Sequence, residues 1–241
     1  MSKKVTIITP TTGTRYLNEN LTSVSNQTYD NLEHLVVIDG PEYLKKSNET
    51  LMGFEDKTII TLPHNTGAEG YNGHRIYGAF SYLIDSDYIC FLDEDNWLEP
   101  EHIESLVKVC ENNDWAFSLR KIVNSDSNYV CNDDCENLGK WESVLGDKFV
   151  DVGCYFLPTR IAIQVSPAWY RRARHPDDQP EIDRLIMHYL LQYGFNYNTN
   201  GMYTLNYRVG NRKDSVQAEF FLRGNRMMEE KYNGEYPWRK K

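Results

Sequence analysis

Three short runs of apolar, largely β-branched residues constrain the fold of this chain more than any other feature. Val5–Thr9 leads into Pro10-Thr11-Thr12, Leu35–Ile38 into Asp39-Gly40, and Tyr88–Leu92 into Asp93-Glu94-Asp95. Continuous apolar runs of this length, closed by turn residues, read as strands buried on both faces. Helical spacing fills the gaps. Leu17, Leu21 and Val24 share one face, then Ile76, Tyr77, Phe80, Leu83 and Ile84, then Ile103, Leu106, Val107 and Cys110. Thr58–Leu62 reads as one more strand. Strands alternating with helices predict a parallel sheet covered on both sides.

After residue 112 that rhythm is lost. Trp115–Leu119 and Phe149–Leu157 read as strands with a polar turn at Asn124–Asn128 between them. Pro180 opens a helix carrying Ile182, Leu185, Ile186 and Tyr189, which Gly194 stops. Tyr203–Val209 reads as a last strand and Val216–Tyr232 as a last helix. No repeat or linker divides the chain, so one compact domain is expected. Its parts are residues 1–112, 113–215 and a C-terminal helix and tail over 216–241.

Charge separates these parts. The net charge of −9 argues against a general nucleic-acid surface. Residues 85–115 hold ten acidic side chains and one lysine, whereas residues 205–241 hold nine basic and five acidic. An acidic pocket facing a basic C-terminal part suits a metal ion bound together with an anionic ligand. No apolar run reaches the roughly 18 residues of a membrane span. Five cysteines without framework spacing fit a reducing cytosol, so a cytoplasmic location is expected. Cys131 and Cys135 are spaced for zinc, but no second Cys or His pair lies near them in sequence.

In open parallel sheets, ligands bind beyond the carboxyl ends of the strands. Residues i and i+2 of a strand project the same way, so Asp93 and Asp95 are expected to converge while Glu94 points elsewhere. Two such oxygen ligands suit Mg²⁺ or Mn²⁺, which complete their shell with water and phosphate. A solvated acidic turn is the competing reading.

The segment VTIITPTTGTRYLNENLTSVSNQTYDNLEHLVVIDG resembles the opening of the family 2 glycosyltransferases, in its strand, its TP turn, its S-x-x-NQTY helix end and its strand ending in Asp. FLDEDNWLEPEHIESL resembles that family's D-x-D segment, and HPDDQPEIDRL its acidic pair before an R-L helix. The resemblance implies a GT-A fold: a Rossmann-like α/β/α sandwich with a central, mostly parallel mixed sheet. It also implies inverting, metal-dependent transfer of a sugar from a nucleoside diphosphate donor to a hydroxyl of a glycan or other acceptor.

Under that resemblance the roles fall as follows. Asp95 holds the metal, with Asp93 near the metal or the ribose, and Glu94 beside them in the donor site. Asp39 accepts a uracil N–H, which favours a UDP-sugar; a plain turn Asp is the other reading. Pro10, Thr11 and Thr12 line the nucleoside pocket. Arg75 reaches a phosphate only if about three extra residues follow Gly67, because NTGAEGYNGHRIYGAF departs from the family pattern there. In YRVGNRKDSV, Arg208, Arg212 or Lys213 would neutralise the diphosphate, and Arg212 is the chosen candidate. Asp178 or Asp177 is the general base. Trp115, Tyr155, Trp169 and Tyr170 are either sugar-stacking or core aromatics. A non-catalytic nucleotide-sugar-binding protein and a sugar nucleotidyltransferase are the alternatives. A dehalogenase-type phosphatase fits less well, because its D-x-D follows the first strand.

Overall fold

The computed structural model describes residues 2–171, 182–212 and 215–240. In chain order the elements are β1 (Val5–Thr11), α1 (Leu17–Ser25), β2 (Leu32–Ile38), α2 (Leu44–Leu51), β3 (Thr58–Thr61) and α3 (His74–Phe80). Then come β4 (Tyr88–Phe91), β5 (Trp97–Leu98), α4 (His102–Cys110), β6 (Trp115–Val123) and β7 (Tyr129–Asn132). The chain finishes with β8 (Tyr155–Pro158), α5 (Thr159–Val165), α6 (Ile182–Gln192), β9 (Tyr197–Arg208) and α7 (Ala218–Tyr232).

All the described strands join one sheet in the order β3-β2-β1-β4-β8-β6-β9-β5, with β7 paired to β6. β1 to β4 run parallel, and β8 is antiparallel to both β4 and β6. β6 and β9 therefore point the same way as the first four strands, and β5 and β7 oppose them. The sheet is mixed and mostly parallel. Its central strands are covered on both faces, as their unbroken apolar runs require. In β2, Leu35 and Val37 enter the main core, whereas Val36 and Ile38 meet Leu17, Leu21 and Leu51 of α1 and α2 on the other side.

The second half departs from expectation in three places. The polar Asn124–Asn128 segment is the hairpin turn between β6 and the short β7, not a link to the following long strand. The strand expected over Phe149–Leu157 begins only at Tyr155, because the Asp151 carboxylate accepts the Gly153 N–H at 3.0 Å and starts a 3-10 turn there. β9 begins at Tyr197, six residues before the expected strand start at Tyr203 (203 − 197 = 6). α6 spans Ile182–Gln192 and ends before Gly194, whose φ of 71° suits a helix stop; Pro180 lies outside the described residues.

Candidate active site

β4 ends at Phe91, and Asp93–Asn96 forms a tight turn closed by the Asn96 N–H donating to the Asp93 carbonyl at 3.0 Å. Its backbone is fixed from two sides. The fully buried Asn20 amide of α1 donates to the carbonyls of Asp93 (3.0 Å) and Asn96 (3.1 Å). From β9, the Arg208 Nε–H donates to the Asp95 carbonyl at 2.9 Å, and its backbone N–H donates to Asn96 Oδ1 at 2.9 Å. A turn after β4 thus sets the positions of Asp93 and Asp95, rather than the strand alternation that the sequence pattern implies.

The two carboxylates lie in each other's field. Burial first, then Asp95, pushes Asp93 up to about 7, while the Tyr77 hydroxyl and Arg212 oppose that rise. Burial raises Asp95 also, against the Asn211 amide and Arg212. Each carboxylate has one oxygen held by a neutral donor. Tyr77 Oη donates to Asp93 Oδ1 at 2.7 Å, and Asn211 Nδ2 donates to Asp95 Oδ2 at 2.5 Å. Of the basic residues after β9, Arg212 is exposed and acts on both aspartates.

Glu94 points away from this pair, into the loop that follows β1. Its carboxylate accepts the Thr11 hydroxyl (2.6 Å), the Thr12 N–H (3.1 Å), the Thr12 hydroxyl (2.8 Å) and the Thr14 N–H (3.0 Å). Gly13 makes the loop possible, with a φ of +70° that side chains rarely adopt. The observed task of Glu94 is thus to tie the Thr11–Thr14 loop to the acidic turn.

Asp39, at the end of β2, is buried and clasps the next loop. Oδ1 accepts the Thr66 N–H (2.7 Å) and hydroxyl (2.8 Å), and Oδ2 accepts the Gly67 N–H (2.8 Å). A Cβ on Gly67 would stand 2.9 Å from Asp39 Oδ2 and 2.4 Å from the Asn72 carbonyl, so this approach needs glycine. The residues that interrupt the family-like pattern here form a 3-10 turn at Ala68–Gly70. Arg75 caps that turn: its guanidinium lies 3.4 Å from the Tyr71 ring centroid and donates to the Thr66 carbonyl at 3.3 Å.

Arg208 cannot serve as a phosphate ligand. It is buried, donating also to the Asn124 (3.2 Å) and Ser125 (3.1 Å) carbonyls and pairing with Glu19. Trp115, Tyr155 and Trp169 are wholly buried core rings; of the four aromatics considered, only Tyr170 is exposed. Asp177, Asp178, His175 and Lys213 lie outside the described residues.

What the sequence did not reveal is a charge network under the second half. The buried Arg120 guanidinium binds Asp133 (2.8 Å), Glu136 (2.5 Å) and Asp151 (2.5 Å), and Glu136 also binds Arg184 of α6 at 2.7 Å. Asp133 and Glu136 belong to CNDDCENL, whose cysteines drew attention to zinc instead. Cys135 is buried, packed so closely on α7 that a Cβ on Gly224 would lie 2.6 Å from its sulfur. A cleft of about 640 Å³ lined by Trp141, Asn198, Asn200 and Trp238 opens at the start of β9. That is the opposite end of the strand from Arg208 and the acidic turn.

A mixed sheet with a polar loop, a buried Asp and an acidic turn at successive strand ends defines a GT-A-type fold. The glycosyl transferase family 2 profile matches residues 6–130, and the chain belongs to that family. Relatives include glycosyltransferase GlyA of Streptococcus pneumoniae, 28% identical over 44% of this chain and 15% of its own length. Another is the glucosyl-dolichyl phosphate glucuronosyltransferase of Haloferax volcanii, 33% identical over 42% of this chain and 31% of its own. The chain therefore spans less than a third of the length of either. Among solved structures, S. aureus TarS 1-349 superposes with a TM-score of 0.62 at 14% identity, over 85% of this chain and 60% of that one. TarS 1-349 has also been solved with UDP and with UDP-GlcNAc, the latter superposing with a TM-score of 0.60 at 13% identity over 90% of this chain. Among the described residues, no helix is long and apolar enough to cross a membrane.

Proposed function

We propose that this glycosyltransferase moves a sugar from a UDP-sugar to an acceptor hydroxyl with the help of Mn²⁺ or Mg²⁺. The observation that carries the reading is the acidic turn: two half-buried carboxylates, each with one oxygen that accepts no hydrogen bond from another described residue, beside the exposed Arg212. Oxygen donors of this kind fit a hard divalent cation. Among the described residues no three His, Cys, Asp or Glu side chains form a metal cage, so substrate phosphate and water would complete the shell. When bound, the ion would neutralise the diphosphate as its bond to the sugar breaks. Arg212 would add charge on the same side. Among the described residues Asp39 Oδ2 accepts one hydrogen bond, from the Gly67 N–H, and a second lone pair would serve a uracil N–H. Pro10 and the Thr11–Thr14 loop would flank the base and ribose.

Calorimetry of UDP binding tests the assignment. Mn²⁺ should strengthen binding over EDTA, and Asp95→Ala should erase the difference; equal wild-type affinity in both would end the metal reading. The base is assigned to Asp178, with Asp177 second, from their place before the α6 segment. Asp178→Asn should leave UDP–Mn²⁺ affinity within about threefold and lower transfer by roughly 10²–10⁴, with inverted product. Full transfer by the double Asn variant would remove the base assignment.

A further inference from the structure

Tyr77 and Asn211 come from distant parts of the chain, α3 and the loop after β9, yet they do the same thing to neighbouring aspartates. Each donates one neutral hydrogen bond to one carboxylate oxygen. Both donors are fixed. The Tyr77 ring is buried between Phe91 and Trp169, with ring centroids 4.9 and 5.5 Å away. The Asn211 carbonyl oxygen accepts the Ser215 hydroxyl at 3.0 Å, which leaves its N–H₂ side for Asp95. A cation donor in either place would cancel the carboxylate charge. A neutral one orients the group and leaves that charge intact.

Resting on the cation reading above, we propose that Tyr77 and Asn211 are positioning residues that restrict Asp93 and Asp95 to one metal-facing oxygen each. Two single-oxygen ligands leave four places of an octahedron for phosphate and water, as Mg²⁺ and Mn²⁺ require. Ca²⁺ takes six to eight oxygens and often binds carboxylates through both, so the arrangement discriminates against it. Tyr77 and Asn211 thereby set ion choice as well as affinity.

Tyr77→Phe keeps the ring packing and removes only the donor; Asn211→Leu does the same in the loop. UDP affinity is measured by calorimetry in Mn²⁺, in Ca²⁺ and in EDTA. Each variant should lose about 10–100-fold in the presence of Mn²⁺, the usual cost of losing a partner that orients a metal ligand. The Mn²⁺-to-Ca²⁺ preference should narrow, and affinity in EDTA should hold within about twofold. In an Asp93→Asn background, Tyr77→Phe should add less than about twofold, because it acts through Asp93. Unchanged Mn²⁺ affinity and ion preference in Tyr77→Phe would overturn the proposal while the metal reading stands, as would an equal loss in EDTA. A wild type indifferent to Mn²⁺ would overturn both.

Discussion

Asp133, Glu136 and Asp151 surround the Arg120 guanidinium, whereas Asp93 and Asp95 accept hydrogen bonds from a phenol and an amide. Burial pushes Asp151 and Glu136 up, and in both cases Arg120 is the strongest influence holding them down. For Asp93 the second-largest influence is instead another carboxylate. The two groups are close enough that Asp151 itself acts on Asp93. Where the fold needs buried negative charge for its own architecture, it supplies the cation. Asp93 and Asp95 instead accept hydrogen bonds from the neutral Tyr77 and Asn211, with Arg212 acting on them only through its field. On the proposed reading, that difference separates structural carboxylates from those available for binding.

The sharpest way to break this contrast is to remove the internal cation. Arg120→Met leaves three carboxylates buried against Phe149, Tyr207 and Phe221, rings that now lie 4.3 to 5.8 Å from the guanidinium carbon. Losing one partner of a buried ion pair costs about 3–5 kcal/mol, and this site has three. Urea denaturation should show at least that loss, unaffected by Mn²⁺. Wild-type stability in this variant would mean that the network is not what holds β6 to the 133–151 segment.

A smaller effect is expected at Glu94, whose carboxylate gathers four donors from the loop after β1. Glu94→Gln keeps the shape but removes the charge that gathers two hydroxyls and two N–H groups. A hydrogen bond to a charged group contributes about 1.5–3 kcal/mol, and the loss in melting experiments should fall in that range. UDP affinity in EDTA should fall too, because the Thr11–Thr14 loop loosens; an unchanged value would detach that loop from nucleotide binding.

The first half of the fold was legible in the sequence because its physics is local. Unbroken apolar runs mark buried parallel strands, and polar residues mark where those strands end. The acidic turn was legible as a turn, though what shapes it was not: its pinning by Asn20 and Arg208 has no sequence-local signature. Tyr77 was hidden because its ring satisfies the helix-face pattern and only its hydroxyl enters the site. Asn211 was overlooked beside more conspicuous basic neighbours. Arg120 sits in an apolar strand, WAFSLRKIV, and its partners are 13 to 31 residues away, so only the folded chain brings them together. Such partners become visible when one asks what would neutralise a charge in the middle of a buried strand.

The smallest effect should also have the opposite sign. Asp93→Asn removes a half-buried charge that the protein neutralises only in part, through Arg212, so it should stabilise rather than destabilise. The folded carboxyl sits at about 7, against an ordinary value of 3.8. Between those values the native state binds a proton that the unfolded chain has released. The contribution of Asp93 to stability therefore falls as pH rises from about 4 to 7 and levels above that. Asn carries no such penalty, so its advantage is roughly a third of its full value at pH 5 and full at pH 8. The shift sets an upper bound of roughly 4 kcal/mol, and solvent at the half-buried carboxylate reduces the expected gain to about 1–2 kcal/mol. Melting curves at pH 5 and pH 8 in EDTA measure it. With UDP and Mn²⁺ present at pH 8 the gap should narrow or reverse, because wild type gains more of the ligand's stabilisation than the variant does. An Asn variant less stable than wild type in EDTA at both pH values would place Asp93 with the structural carboxylates, and the contrast with the Arg120 network would fail.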